Sequence, residues 1–236
     1  MIIEQPARFL RWIYPKAIWR MDPSVKAVYL TFDDGPIPEA TPFVLDTLAR
    51  YGVKATFFMV GDNVRKHPDI FRQVVEAGHA IGNHTYNHIG GLRWYSKKYL
   101  ENTLKAQEEM DQWTMNSGSL FRPPHGWMRP IQYHVIRRNG FRIIMWDLVT
   151  RDYSRRLTAE EVFDNVKRYA RNGSIITFHD SLRSIDKLKK ILAPSIEWLL
   201  AEGYDFRLFP WSSLNHPHGE DEEGIACGFA NSDGEQ

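Results

Sequence analysis

The chain has 236 residues, 43% hydrophobic, 25% charged and 13% aromatic, which excludes a disordered chain, a collagen-like repeat and a small disulfide scaffold. The formal net charge is +1 but unevenly spread: from Gly219 onward there are six acidic residues and no Lys or Arg, so the rest carries 30 basic against 23 acidic groups, a net +7. The only cysteine, Cys227, excludes an intrachain disulfide and a thiolate metal cluster, so a bound metal would have to use His and carboxylate.

Met1–Arg20 mixes Phe9, Leu10, Trp12, Ile13 and Trp19 with Arg8, Arg11, Lys16 and Arg20. It lacks the basic start, apolar centre and small-residue cleavage site of a secretory signal. No apolar run approaches the roughly 18–20 residues that cross a bilayer. The chain is therefore expected by default in the cytoplasm or at a membrane surface, with no integral membrane segment. Pro6 and Pro15 interrupt a continuous amphipathic helix, so residues 1–24 are expected to form an arm packed over one end of the domain, resting on a membrane face being the other reading.

Strand-like runs then alternate with helical periods. The runs are Ala27–Phe32, Ala55–Val60, His79–Asn83, Ser119–Phe121, Phe141–Trp146, Ser174–Phe178 and Tyr204–Phe209; helices are predicted near 40–51, 63–77, 96–116, 130–139, 158–171 and 186–202. Val162, Phe163, Val166, Tyr169 and Ala170 form the clearest apolar stripe, and Thr158 with Glu161 supplies a capping box at its start. Gly52, Gly78, Gly140, Gly173 and Gly203 each follow a helix and precede a strand. Repeated βα units predict a mainly parallel, buried sheet. Seven strands fit a distorted (β/α)7-type barrel, an open doubly wound sheet being the alternative. One domain is expected over residues 25–210, followed by an acidic, flexible tail over 211–236.

In a βα barrel catalytic groups gather at the C-terminal ends of the strands. Asp33 and Asp34, His84 and His88, Arg122 and His125, Asp147 and Asp152, and His179 and Asp180 all follow predicted strands. In Thr31-Phe32-Asp33-Asp34-Gly35-Pro36 two adjacent carboxylates point in different directions, which suits a division of labour: one holds a cation, the other deprotonates a water. A capped Asp-Gly-Pro turn is the alternative, and the Asp-x-Asp-Gly of haloacid dehalogenase-type phosphatases is absent. His84 and His88, four apart, can reach one ion; with Asp34 they would make a two-His, one-carboxylate set suited to zinc, Fe(II) or Mn(II). The stiff stretch Phe121-Arg122-Pro123-Pro124-His125-Gly126 could aim a backbone N–H at an oxyanion, and Arg122 could hold a carboxylate ionised. His179, at the end of a buried run, would need Asp152 or Asp147 beside it to serve as a general acid. Trp94, Trp127, Trp146 and Tyr153 could stack on sugar rings or simply pack.

Across roughly residues 25–210 this ordered set resembles the NodB-homology polysaccharide deacetylases, carbohydrate esterase family four. The resemblance implies a distorted barrel with a divalent metal, zinc first with Co2+, Mn2+, Fe2+ or Ni2+ as alternatives, that removes acetyl groups from N-acetylated sugars. An N-acetylated glycan is thus the expected partner, and nucleic acid is not. Position by position, it implies Asp33 as general base; Asp34, His84 and His88 as metal ligands; Arg122 orienting Asp33; the His125 backbone N–H in the oxyanion hole; and His179 as general acid tuned by Asp152. The sequence departs from the family pattern at His125 (where Tyr is common), Val149 (Asp), Tyr153 (Trp), Thr177 (Leu) and Ile89 (Pro), so the metal and acid–base groups match while the sugar pocket is altered. An O-acetyl ester or cyclic amide hydrolase, and a non-catalytic carbohydrate-binding protein of the same fold, are the alternatives.

Overall fold

A computed structural model describes residues 4–6, 9–114 and 119–211. The predicted acidic tail from residue 212 onward, including Cys227, lies outside the described residues.

The centre of the molecule is β1 (Ala27–Asp33), whose seven residues are all buried, as a strand covered on both faces must be. Around it lie β2 (Thr56–Met59), β3 (Ala80–Asn83), β4 (Leu120–Phe121), β5 (Arg142–Ile143), β6 (Leu148–Val149), β7 (Ser174–His179) and β8 (Asp205–Phe206). The order is β5-β4-β3-β2-β1-β7-β6, with β8 pairing the start of β1, and every ladder between these strands is parallel. The result is a curled half-barrel.

Its two edges, β5 and β6, are consecutive in the chain. The predicted strand Phe141–Trp146 is correspondingly cut short: Ile18 donates to the Ile143 carbonyl and accepts from the Met145 N–H, and the chain then crosses to the other edge, where the Asp147 N–H reaches the Ile175 carbonyl. This crossing creates the eighth strand, β6, which the sequence reading did not separate. The segment from Tyr14 to Trp19 fills the seam, with Tyr14, Ala17 and Trp19 buried against Tyr133 and Met145.

Helices α2 (Thr41–Arg50), α4 (Pro68–Glu76), α7 (Ala159–Tyr169) and α8 (Ile185–Ala201) cover one face of the sheet. There Phe32 stacks between Phe57 and Phe178 at 5.1 and 5.8 Å. On the inner face Tyr29 stacks on Phe209 at 5.4 Å, among Phe58, Leu120, Ile144 and Ile175. Helix α5 (Ser96–Asp111) and α6 (Pro130–Arg138) pack beside the β3–β5 edge, and α1 (Leu10–Ile13) is a single exposed turn. The predicted helix over 63–77 is two helices, α3 (Gly61–Lys66) and α4, because Pro68 brings no N–H and bars the α conformation at His67, whose φ is −132°. The capping box of Thr158 and Glu161 is formed in both directions. No described helix is long and apolar enough to cross a membrane.

The five glycines that follow helices all adopt positive φ, from 64° to 86°. At Gly52 a Cβ would meet open space, whereas at Gly173 it would lie 2.4 Å from the Met21 carbonyl. Gly52→Ala should therefore cost only the left-handed backbone term, about 1–2 kcal/mol, while Gly173→Ala should cost more because it also displaces Met21 from the seam. Urea unfolding of both variants measures the difference; equal losses would contradict it.

Candidate active site

Strand alternation sends Tyr29, Thr31 and Asp33 to the inner face, and on β7 Ile175, Thr177 and His179. The register pairs Thr31 with Thr177 and Asp33 with His179. Two reactive side chains 146 positions apart therefore stand side by side at the rim.

Asp33 is held from within the barrel. Arg122, fully buried, donates through Nη1 to Asp33 Oδ1 at 2.7 Å and to Thr31 Oγ1 at 2.7 Å, through Nε to the Ile144 carbonyl at 3.2 Å and through Nη2 to the Met145 carbonyl at 2.9 Å. Its guanidinium also lies over the Phe58 ring at 4.1 Å. A buried guanidinium is tolerated only when its donors are satisfied in this way.

Asp34 begins the turn after β1 with φ of 86°. Its Oδ1 lies 3.8 Å from His84 Nε2 and 3.2 Å from His88 Nε2, yet it is buried and makes no hydrogen bond. One ligand atom from each of Asp34, His84 and His88 falls within 4.8 Å of the others. His84 donates its Nδ1–H to the Arg122 carbonyl at 2.8 Å, leaving Nε2 as a lone pair. Burial pushes His84 down to about 4, so the ring is neutral at physiological pH. Burial alone would raise the Asp34 carboxyl, but His88 and the charge of His179 outweigh it and hold it well below the usual carboxylate range. A buried unsatisfied acceptor facing a neutral imidazole lone pair fits a cation, since a cation satisfies both at once.

The loop carrying the imidazoles is tightly built. The first N–H groups of α3, at Gly61 and Asp62, donate to the Thr85 and Tyr86 carbonyls. Asn83 Oδ1 accepts from the Thr85 N–H, and Asn102 accepts from the Tyr86 and Asn87 N–H groups. Asn83 and Asn102 were not singled out by the sequence reading: the Asn83 turn to Thr85 is local and was available to be read, whereas Asn102 meets Tyr86 and Asn87 from 15–16 positions away.

His179 donates Nδ1–H to Asp152 Oδ1 at 2.8 Å, and its backbone N–H reaches Asp152 Oδ2 at 2.7 Å. Burial pushes His179 down, but the Asp152 charge and hydrogen bond prevail and lift it to about 9. Asp147, the other candidate partner, is instead paired with Arg171 and Ser174. His125 stands at the cleft mouth with its outer edge in solvent and its ring 4.9 Å from that of His88; the partial burial of the ring, and then His88, lower its pKa. No partner among the described residues takes the His125 backbone N–H. Asp180, pushed up to about 8 by burial, sits beneath the Asp34–Gly35 turn.

Asp33, Asp34, His84, His88, His125 and His179 line a cleft of about 750 Å³, as do Trp146, Val149, Tyr153 and Thr177 and, from the α3 and β3 loops, Asn63 and Asn87. Trp127 is exposed and Trp94 lies under Lys98, neither lining the cleft.

A family model described as polysaccharide deacetylase matches residues 20–144. A peptidoglycan-N-acetylglucosamine deacetylase of Bacillus cereus is 32% identical over 190 residues, covering 80% of this chain and 88% of its own. A crystal structure of a peptidoglycan N-acetylglucosamine deacetylase in complex with a naphthalenyl-N-oxidanyl-benzamide matches with a TM-score of 0.77 at 31% identity, over 85% of this chain and 94% of that one. A carbohydrate esterase family four pseudoenzyme from Bacillus anthracis matches with a TM-score of 0.75 at 26% identity, over 81% of this chain and 66% of that one.

A histidine pKa raised on folding contributes stability that is complete below its unfolded value, near 6.5, and is lost as pH rises through about 9. Asp152→Asn should drop the His179 titration from about 9 to 6.5 or below in the metal-free protein, read by NMR of the imidazole carbons. The stability gap between wild type and variant should be widest below pH 6.5 and narrow toward pH 9. An unshifted titration would show that Asp152 does not control this ring.

Proposed function

The chain belongs to the polysaccharide deacetylase family, and on that premise we propose that it is a metal-dependent hydrolase that removes N-acetyl groups from the amino sugars of an oligo- or polysaccharide, releasing acetate. The observation that carries this reading is the pairing of Asp33 with His179 across one ladder, beside three potential ligands within 4.8 Å of one another.

Asp34, His84 and His88 would hold the cation, with zinc the first expectation and Co2+, Mn2+, Fe2+ or Ni2+ alternatives for this donor set. When bound, a divalent ion there supplies Lewis acidity to the acetamide carbonyl and acidifies water. Asp33, oriented by Arg122, takes the proton of the attacking water. The unpartnered His125 N–H donates to the oxygen on which negative charge develops. An amine cannot depart as its anion, so His179, kept protonated by Asp152, delivers a proton to the sugar nitrogen. The relatives' substrates support N-acetylglucosamine in peptidoglycan as the first glycan to test.

A second reading, a non-catalytic glycan-binding protein, has the Bacillus anthracis pseudoenzyme in its favour. Against it stands Arg122, which holds Asp33 through one hydrogen bond and is itself fixed by three more, to Thr31 and to the Ile144 and Met145 carbonyls; binding a sugar needs no such arrangement.

Acetate release from N-acetylglucosamine oligomers tests both readings. The metal-loaded protein should turn over, chelation should abolish turnover and added Zn2+ restore it, and Asp33→Asn should lower kcat by about 10²–10⁴ while KM changes little. Faster release from O-acetylated than from N-acetylated oligomers would instead mark an ester hydrolase. No release from any oligomer would favour the binder.

A further inference from the structure

Asp180 has no place in the chemistry above, yet it is completely buried, an unusual position for a carboxylate without a cationic partner. Its oxygens are both engaged. Oδ1 accepts the Gly35 N–H at 3.1 Å and Oδ2 accepts the Thr41 hydroxyl at 2.6 Å, while Thr41 Oγ1 in turn accepts the Ile37 N–H at 2.8 Å. The Asp180 backbone N–H donates to the Asp33 carbonyl at 3.1 Å. Asp180 thus grips the segment from Asp33 to Ile37 directly at Asp33 and Gly35 and, through Thr41, at Ile37.

The opposite side of that segment is fixed by β2 and α3. The Asp34 N–H reaches the Phe58 carbonyl at 3.3 Å, the Val60 N–H reaches the Gly35 carbonyl at 2.9 Å, and Asn63 Nδ2 reaches the Asp34 carbonyl at 2.8 Å. Asp34 is held between these two sets with φ of 86°, a conformation that is costly for a non-glycine residue and survives only where its surroundings over-determine it. The fit leaves no slack, since a Cβ on Gly35 would lie 2.1 Å from Asp180 Oδ2.

We propose that Asp180 is a positioning residue for the cation: by clamping the Asp34–Gly35 turn to the end of β7, it sets where the Asp34 carboxylate stands relative to His84 and His88, and so sets metal affinity. The proposal rests on the metal site assigned above. It separates two roles at the end of β7: His179 serves the leaving group, and the next residue serves the metal ligand in the turn after β1.

The test is competition for Zn2+ against a chromophoric chelator, together with the visible absorption of the Co2+-loaded protein and the Tm of the metal-free protein, for wild type, Asp180→Ala, Asp180→Asn, Thr41→Val and Asp147→Asn. Loss of a residue that orients a ligand typically weakens metal affinity about 10–100-fold. Asp180→Ala should show that loss with an altered Co2+ spectrum. Asp180→Asn, which keeps an acceptor for the Gly35 N–H, should recover part of it, and Thr41→Val should weaken binding severalfold. Asp147→Asn, which breaks the pair of this buried carboxylate with the half-exposed Arg171, should lower Tm and leave affinity unchanged. If Asp180→Ala does not fold, Asp180→Asn and Thr41→Val decide the matter. Affinity within twofold of wild type in the folded Asp180 and Thr41 variants, whatever their Tm, overturns the proposal and leaves the metal site standing. Wild-type protein that binds neither Zn2+ nor Co2+ removes the metal site and the proposal together.

Discussion

The parallel ladder between β1 and β7 is the constraint on which the site depends. Parallel pairing puts the same-face residues of two strands next to each other along the whole ladder, and six consecutive residues pair here, from Val28 with Ser174 to Asp33 with His179. The last pair is reactive, the one two residues earlier is Thr31 with Thr177, and below those the face turns apolar at Tyr29 and Ile175. One face thus grades from core to chemistry without a change of scaffold. A slip of one residue would turn Asp33 and His179 toward the phenylalanine layer under the helices, so the register that protects the core also protects the site.

Around this ladder the rim stores strain. Asp34, Thr85, His88, His125 and Arg151 all have φ between 52° and 86°, and for Thr85, being β-branched, this is a marked outlier. All five lie in loops after strands and none in the layer beneath. Three of them are tied down: Thr85 by Asn83 and Ile89, Asp34 by Phe58 and Asn63, His88 by the docking of its loop on α3. The apolar layers below, with Phe32, Phe57 and Phe178 in one stack, supply the rigidity against which such loops can be held.

What the sequence made legible follows from the range of the forces involved. Helix ends are local, so the terminal glycines and the Thr158–Glu161 box could be read directly, and the parallel sheet followed from their repetition. Pro68 is equally local, and its break in the predicted 63–77 helix was available to be read. The end of the Phe141–Trp146 run was not, because what terminates it is Ile18, more than a hundred positions earlier. The same distinction holds within the site. Asp33, His84, His88 and His179 announce themselves by residue type at strand ends, whereas the choice between Asp147 and Asp152 as partner of His179 turns on which loop crosses the seam, and residue spacing alone left it open. Asp180 was visible as a rim carboxylate, but its grip on Gly35 and Thr41 is purely tertiary.

The seam also bears on three of the five positions where the chain departs from its family pattern, Val149, Tyr153 and Thr177. The reactive groups come from β1, the β3 loop and β7, and Arg122 at the end of β4 braces them through the barrel interior. Val149, Tyr153 and Thr177 instead line the wall that β6 and β7 raise beside the seam. Here the wall is backed by the N-terminal segment, through the Val149 N–H on the Glu4 carbonyl and Arg151 on the Glu4 carboxylate at 2.5 Å. The part of that wall carried by the last, two-residue strand of an open edge and the loop after it, Val149 and Tyr153, can change its side chains without disturbing the ladder that aligns Asp33 and His179, whereas Thr177 belongs to that ladder and meets the Thr31 hydroxyl. Substitution at Val149 and Tyr153 and retention of Asp33, Asp34, His84, His88 and His179 are therefore compatible within one fold.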